Sequence, residues 1–182
     1  MLDFYSSFLN TVEADQLLQM ALTMPLEQRF VNIKGMKFPM PRLTGWCNDL
    51  GFPYFYSGQA TPPMPWPNEL LPIRNRLEQL TGKALQSVLV NLYRDRNDSV
   101  SWHKDNEKWF KSDPFIVSLS VGSARKFKLR NKSTQEFANF NLSHGDVLIF
   151  TNQHVLEWEH CIEKCGHEVG PRANFTFRVI SP

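Results

Sequence analysis

The stretch "SVLVNLYRDRNDSVSWHKD", residues 87–105, predicts a strand, a turn and a second strand, and it decides the fold class. Side chains at positions 88, 90 and 92 alternate with a second set at 89, 91 and 93, which is the two-residue period of a β-strand. "DRNDS" is rich in turn-forming residues, and "VSWHKD" predicts the next strand. Five further segments of strand character follow: "PFIVSLSVG", "ARKFKLRNK", "DVLIFTN", "VLEWEH" and "ANFTFRVI".

Two predicted helices precede these strands. "NTVEADQLLQMALTMP", residues 10–25, begins with a capping Asn10, has Glu13 three residues later and stops at Pro25. "NELLPIRNRLEQLTG", residues 68–82, ends at Gly82. The inward faces are predicted to hold Leu17, Leu18, Ala21 and Leu22 in the first helix and Leu70, Ile73, Leu77 and Leu80 in the second.

Two helices followed by about seven strands predict a mainly β fold with flanking helices, an antiparallel double-sheet jelly roll. The 182 residues suit a single domain covering positions 1–182, with a jelly-roll core at roughly 87–180. Residues 30–67 are rich in Pro, Gly and aromatic residues and show no clear period. We therefore expect a long functional loop there.

Composition excludes several classes of protein. No run of about twenty apolar residues is present, so we expect no transmembrane helix and no membrane partner. The start, "MLDFYSSFLN", lacks the apolar core of a secretory signal, and three cysteines are too few for a disulfide framework. We expect a monomer in the cytoplasm, or in the nucleus of a eukaryote. With a net charge of only +2, an anionic partner must be met by a local patch.

The segment "SWHKDNE", residues 101–107, places His103, Asp105 and Glu107 on one side of an extended strand. A neutral imidazole beside a carboxylate suits a borderline metal ion, although such a pair is also common on solvated surfaces. Two ligands hold a catalytic metal poorly, so a third is needed. His160 alternates with Leu156 and Trp158 towards the interior, but an interior histidine alone is more often a core residue.

The last predicted strand, "PRANFTFRVI", carries Arg172, Asn174, Thr176 and Arg178 on one face and apolar residues on the other. If the polar face points inward, each guanidinium needs an anion, because a buried unpaired charge is costly. A small dicarboxylate along the strand would satisfy both arginines. The alternative is an exposed edge strand.

Two other patterns leave alternatives open. "ARKFKLRNK" places Lys126, Lys128, Arg130 and Lys132 on one face, as either a phosphate-contacting stripe or a solvated outer surface. "HCIEKCGH", residues 160–167, offers two histidines and two cysteines to zinc at a spacing that fits no common finger. A zinc protein and a metal-free jelly-roll binding module are therefore alternative hypotheses.

Together, the motifs resemble those of the AlkB-type Fe(II)/2-oxoglutarate dioxygenases over roughly residues 42–180. The resemblance rests on "NLYRDRNDSVSWHKDNE", "SLSVGSARKFKLRNK", "LSHGDVLIF", "WEHC" and "PRANFTFR". It implies a double-stranded β-helix that uses Fe(II), 2-oxoglutarate and O2. The implied iron ligands are His103, Asp105 and His160. The implied 2-oxoglutarate ligands are Asn91, Tyr93, Arg172, Asn174 and Arg178.

The family resemblance also implies a substrate. "LTGWCNDLGFPYFYSG", residues 43–58, resembles part of a nucleotide-recognition lid, which is expected to cover roughly residues 30–67. The resemblance implies Trp46 as the base-stacking aromatic, with Tyr54 and Tyr56 beside it. Glu107 is expected to project beside the iron, where the target base would sit. The implied reaction demethylates N-alkylated bases of DNA, with single strands favoured, or of RNA, giving succinate, CO2 and formaldehyde. Some relatives act on protein, and Asn106 before Glu107 departs from the family pattern.

Overall fold

A computed structural model describes residues 2–56, 58–105, 114–151 and 153–180, with the side chains of Tyr56 and Gln153 excepted. Within these ranges the chain forms thirteen strands and three helices. In order they are β1 (Leu2–Tyr5), α1 (Thr11–Thr23), β2 (Glu27–Ile33), β3 (Met36–Asn48), β4 (Tyr54–Tyr56), β5 (Gln59–Thr61), α2 (Leu70–Thr81), β6 (Ser87–Tyr93), β7 (Val100–His103), β8 (Phe115–Gly122), β9 (Arg125–Asn131), β10 (Phe137–Leu142), β11 (Asp146–Thr151), α3 (Gln153–Glu157), β12 (Trp158–Ile162) and β13 (Arg172–Arg178).

Two antiparallel sheets form the framework. The larger has the order β1-β11-β8-β13-β6-β3-β2, the smaller has the order β10-β9-β12-β7, and β4 and β5 form a separate hairpin. One apolar cluster joins the sheets, with Phe127 and Ile162 from the smaller sheet packing with Ile116 and Phe150 from the larger. This confirms the predicted jelly roll. None of the helices in the described ranges has the length and apolar character that a bilayer span requires.

The two longer helices pack in a second apolar cluster with the large sheet. Asn10 and Glu13 form the predicted capping box of α1, and Gly82 ends α2 in the left-handed conformation with φ of 65°. Most of the predicted inward residues are buried or packed on this core, but Leu22 and Leu80 are each 41% exposed. Both lie at the border of an apolar face, where the side chain reaches solvent.

Strands β6 and β13 divide the interior into two compartments by alternation. Val88 and Val90 of β6 and Phe175 and Phe177 of β13 pack in the apolar cluster that contains α1 and α2, which we call the helix-side core. The alternate residues of both strands, including Asn91, line a cavity on the other face of the sheet. Of the two alternatives for the last strand, the structure shows the inward polar face.

Two predicted segments are wrong. Residues 30–67 are not one loop, because they contain most of β2, all of β3 and the β4–β5 hairpin. Lys34 and Gly35 make the tight turn between β2 and β3 with φ angles of 49° and 84°. "VLEWEH" is not one strand, because α3 continues to Glu157 before β12 begins. Leu156 is consequently 53% exposed rather than inward. In addition, β10 was not anticipated.

Candidate active site

A cavity lies between the two sheets, and its empty volume including the open mouth is about 940 Å³. The inner faces of β6 and β13 form one wall, and residues from β7, β9 and β12 face them. Residues from β2, β3, β4 and β5 also line the cavity. We call these four strands, Glu27–Ile33, Met36–Asn48, Tyr54–Tyr56 and Gln59–Thr61, the lid.

His103, Asp105 and His160 converge at one side of this cavity. Each offers one ligand atom, and these atoms all lie within 4.8 Å of one another. His103 ends β7 and lies opposite His160 of β12 in the ladder, while Asp105 follows two residues after His103. Nε2 of His103 is 3.5 Å and Nε2 of His160 is 3.8 Å from the same Asp105 oxygen, Oδ1. Two imidazoles and one carboxylate at this spacing fit a metal that prefers nitrogen and oxygen ligands.

Hydrogen bonds of the ligand side chains support this fit. Nδ1 of His103 lies 2.8 Å from the backbone carbonyl of Ser101, which can only accept, so this nitrogen carries the proton. Nε2 of His103 then keeps its lone pair for a metal, the arrangement usual for ligating histidines. The second Asp105 oxygen, Oδ2, accepts a 2.9 Å bond from Nη2 of Arg178.

Charge and burial hold the trio in a metal-ready protonation state. Burial by itself would raise the pKa of Asp105, but the positive charge of Arg178, followed by that of the two histidines, places this pKa below its ordinary range. Burial lowers the pKa of His160 to about 3, and the charge of His103 adds to the effect. At neutral pH the trio therefore combines a carboxylate with a neutral His160 imidazole.

Arg172 lies at the other end of β13 in a different environment. Its side chain is 1% exposed, Nη2 donates to Ser120 Oγ at 2.9 Å, and the guanidinium carbon lies 5.2 Å from the ring centre of Tyr93. Nε makes no hydrogen bond with the described residues. Burial lowers the pKa of Arg172 to about 10. This buried cation, which faces the cavity without a carboxylate partner among the described residues, fits an anionic group of a ligand.

The two predicted amide ligands, Asn91 and Asn174, lie opposite each other on β6 and β13 but differ in their hydrogen bonds. Nδ2 of Asn174 already donates to Ser118 Oγ at 2.8 Å, and its Oδ1 accepts from Thr176. Oδ1 of Asn91 accepts from Arg42 Nε at 2.9 Å. The Asn91 amide nitrogen donates to none of the described residues.

The predicted base-binding residues occupy different depths. Trp46 is 0% exposed, donates from Nε1 to the Phe52 carbonyl and packs 5.1 Å from Tyr54, so a base can stack on it only if these neighbours move. Tyr54 lines the cavity and lies 5.5 Å from the Arg178 guanidinium. Glu107 and the side chain of Tyr56 lie outside the described residues.

Several lining residues were missed by sequence reasoning. Arg29, Arg42, Thr44 and Gln59 all line the cavity from the lid. Arg42 and Thr44 share one side of β3 by alternation, and the Lys-Gly turn could have identified the hairpin that carries them.

The remaining sequence patterns acquire simpler interpretations. On the basic face of β9, Lys128 pairs with Glu163, while Arg130 and Lys132 pair with Glu159. Ion pairs with Glu159 of β12 and with Glu163, which follows this strand, favour a solvated outer surface over a free phosphate-binding stripe. In the part of the chain that the structure describes, only the His103–Asp105–His160 group brings three metal-ligand atoms together, so the "HCIEKCGH" residues do not converge.

Sequence and structure comparisons identify the family and the fold of this chain. The model of the 2OG-Fe(II) oxygenase superfamily matches residues 2–178. Alpha-ketoglutarate-dependent dioxygenase alkB homolog 3 of Homo sapiens is 36% identical over 189 residues, covering 98% of this chain and 65% of that protein. DNA oxidative demethylase ALKBH2 of Mus musculus is 32% identical over 160 residues, covering 84% of this chain and 67% of that protein.

The chain thus spans slightly less than two thirds of the alkB homolog 3 sequences. The solved structure of OsALKBH1 superposes with a TM-score of 0.65 at 16% identity, covering 98% of this chain and 97% of that one, which shows the shared fold. Family model, relatives and fold point the same way: the chain belongs to the 2OG-Fe(II) oxygenase superfamily, as an AlkB-type member.

Proposed function

We propose that this protein removes methyl groups from alkylated nitrogen atoms of nucleic-acid bases, in DNA or RNA, using Fe(II), O2 and 2-oxoglutarate. The observation that carries the proposal is the shared cavity, in which a His-Asp-His trio, a two-arginine strand and an aromatic lid meet. The names of the relatives, a dioxygenase and a DNA oxidative demethylase, support the same reaction class. The products would be the repaired base, formaldehyde, succinate and CO2.

In this proposal His103, Asp105 and His160 hold the iron. When bound, iron and 2-oxoglutarate together supply the oxidation of the methyl group by O2. The chain keeps its ligands ready for this chemistry, because Ser101 fixes the His103 tautomer and Arg178 keeps Asp105 ionised. The three ligands leave the other coordination positions open to the cosubstrate and O2.

The cosubstrate would lie along β13. Arg172 would take a carboxylate of 2-oxoglutarate, since its buried cation has a hydroxyl and an aromatic ring as neighbours but no carboxylate among the described residues. Tyr93 and Asn91 line the same wall and would complete this site. Asn174 would shape the wall through its bonds to Ser118 and Thr176 rather than act as the principal donor.

The lid would receive the target base. Tyr54 is the lid aromatic that lines the cavity, and Trp46 supports it from behind. We also propose that Tyr56 and Glu107 take part in binding the target base. Enzymes that modify a base must take it out of the stack, and single strands offer it at the lowest cost. We therefore propose single-stranded nucleic acid as the favoured substrate.

The proposal extends to the state and location of the protein. We propose a monomer, because one chain supplies the metal trio, the two arginines and the lid of a single cavity. Three free cysteines support a reducing compartment, the cytoplasm or the nucleus.

The deciding experiment is a turnover assay with Fe(II), 2-oxoglutarate and oligonucleotides that carry 1-methyladenine or 3-methylcytosine. DNA and RNA, each single- and double-stranded, are compared by release of formaldehyde and by loss of the methyl group. We expect demethylation that requires both iron and 2-oxoglutarate. A protein that converts 2-oxoglutarate to succinate but leaves all of these oligonucleotides methylated would refute the nucleic-acid substrate and retain the oxygenase.

A further inference from the structure

Arg42 connects the lid to the cosubstrate wall of the cavity. It lies on β3, is 7% exposed and donates from Nε to Asn91 Oδ1 at 2.9 Å. Thr44, two residues further along the same strand, donates to the same oxygen at 3.4 Å. Asn91 lies directly opposite Thr44 in the β3–β6 ladder. Strand β3 of the lid thus makes two hydrogen bonds with the Asn91 amide. This amide belongs to the inner wall of the cavity, which β6 and β13 form.

These contacts determine which way the Asn91 amide faces. A guanidinium can only donate, so the amide atom that meets Arg42 must be the oxygen. The amide nitrogen is then turned towards the cavity, where it donates to none of the described residues. Asn174, its neighbour across the ladder, lacks this freedom, because its Nδ2 is held by Ser118 and the Leu119 carbonyl. Of the two amides, Asn91 is the one with donors to offer an anionic ligand.

We propose that Arg42 is a positioning residue that orients Asn91 to donate to 2-oxoglutarate, and so makes cosubstrate affinity depend on the lid. This inference rests on the proposed role of Asn91 under the proposed function. It predicts that a residue on the substrate side of the cavity controls cosubstrate binding through one hydrogen bond. A long-range attraction between the Arg42 charge and the diacid is the competing explanation.

The experiment measures the dissociation constant of 2-oxoglutarate by calorimetry, with Mn(II) replacing Fe(II) and O2 excluded, so that no turnover occurs. Arg42→Met should weaken binding about tenfold, the usual effect of losing one hydrogen bond to a charged group. Arg42→Gln, which keeps a donor and loses the charge, should retain most of the affinity. Thr44→Val, which leaves the charge untouched, should weaken binding by about twofold.

A double-mutant cycle separates orientation from charge. Asn91→Ala should weaken 2-oxoglutarate binding about tenfold, and adding Arg42→Met to it should cause no further loss. Two results would overturn the positioning role alone. One is a double variant whose loss of 2-oxoglutarate affinity equals the product of the two single losses. The other is an Arg42→Gln variant that binds 2-oxoglutarate as weakly as Arg42→Met. An Asn91→Ala protein with unchanged affinity would overturn the cosubstrate role of Asn91, and the positioning role with it.

Arg29→Met is the matched control. Arg29 lines the same cavity from the lid and pairs with Glu27, but it makes no hydrogen bond with Asn91. Its loss should leave 2-oxoglutarate affinity unchanged. Thermal unfolding shows whether each variant is folded. If Arg42→Met does not fold, the test uses Thr44→Val instead, made both in the parent protein and in the Asn91→Ala variant. A loss caused by Thr44→Val that persists in the Asn91→Ala background would overturn the proposal.

Discussion

Replacing Arg172 with methionine should leave the free protein folded at least as stably as before while removing its response to 2-oxoglutarate. The residue is 1% exposed, and burial lowers its pKa from an ordinary value of 12.5 to about 10. At neutral pH, below both values, the folded state holds a charge that the unfolded chain would hold more easily. At 1.36 kcal/mol per pKa unit, this costs the folded state about 3 kcal/mol.

The lost contacts offset most of this gain in stability. The bond to Ser120 contributes about 1 kcal/mol, and the stacking over Tyr93 contributes about 1 to 2 kcal/mol. The net change lies between zero and roughly 1 kcal/mol in favour of the variant, or up to about 4 °C in Tm for a chain of this size. Each charge-assisted bond to the cosubstrate is worth about 1.5–3 kcal/mol, so affinity for 2-oxoglutarate should fall roughly 10- to 150-fold.

Thermal unfolding with Mn(II), in the presence and absence of 2-oxoglutarate, measures both effects. The parent protein should gain stability with rising cosubstrate concentration, and Arg172→Met should gain little at the same concentrations. Arg125→Met is the control, because Arg125 is 2% exposed but donates to the backbone carbonyls of Asp98 and Glu163. It should lose stability and keep the cosubstrate response. An Arg172→Met protein that behaves like this control would refute the reasoning.

Three further predictions concern the metal and the substrate. Alanine variants of the proposed ligands should fold but bind no iron, as measured by metal content after desalting: His103→Ala, Asp105→Ala and His160→Ala. His144→Ala should stay active, and an active His160→Ala would show that the third ligand is wrong. Arg178→Met should weaken metal binding at least tenfold in the absence of cosubstrate, because Asp105 loses the hydrogen bond from Arg178. Equal metal affinity in Arg172→Met and Arg178→Met would contradict this prediction. Glu107→Gln should lower turnover of cationic 3-methylcytosine more than that of neutral 3-methylthymine, because a carboxylate can favour the cation by at most about 4 kcal/mol at an effective dielectric of 20. Trp46→Ala should lower turnover of both lesions equally. If Glu107→Gln leaves the ratio of the two turnover efficiencies unchanged, the carboxylate has no part in lesion choice.

The inner wall could be predicted because strand alternation and local chemistry agree there. On β13, every second side chain is apolar and packs in the helix-side core, which leaves Arg172 and Arg178 facing inward. His103 and Asp105 lie on the same side of the chain, as two residues two positions apart in an extended segment do, although β7 itself ends at His103. Such positions follow from the backbone period alone and do not require knowledge of distant contacts.

The lid could not be predicted in the same way, because its strands are defined by long-range pairing. Residues 44–48 of β3 pair with β6 and are all buried, so the apolar-polar alternation of a half-exposed strand is lost. Pro39 and Pro41 further disguise the strand. The depth of Trp46 depends on Tyr54, which comes from a separate hairpin, and no period within β3 reports that cover.

If 2-oxoglutarate binds along β13 as proposed, the unequal partners of the two arginines on this strand favour one direction for it. The strand is paired along its whole length with β6 and β8, so the positions of Arg172 and Arg178 are fixed from both sides. Six residues of strand separate them by roughly 20 Å, which exceeds the length of a five-carbon diacid, and only their long side chains can shorten the gap. Arg178 already shares its charge with Asp105, a carboxylate of the metal trio, whereas Arg172 has a hydroxyl and a ring for neighbours. A diacid with one carboxylate at Arg172 and its keto-acid end at the trio gives the buried cation its anion without displacing Arg178 from Asp105, and the reverse orientation would place the keto group away from the metal ligands.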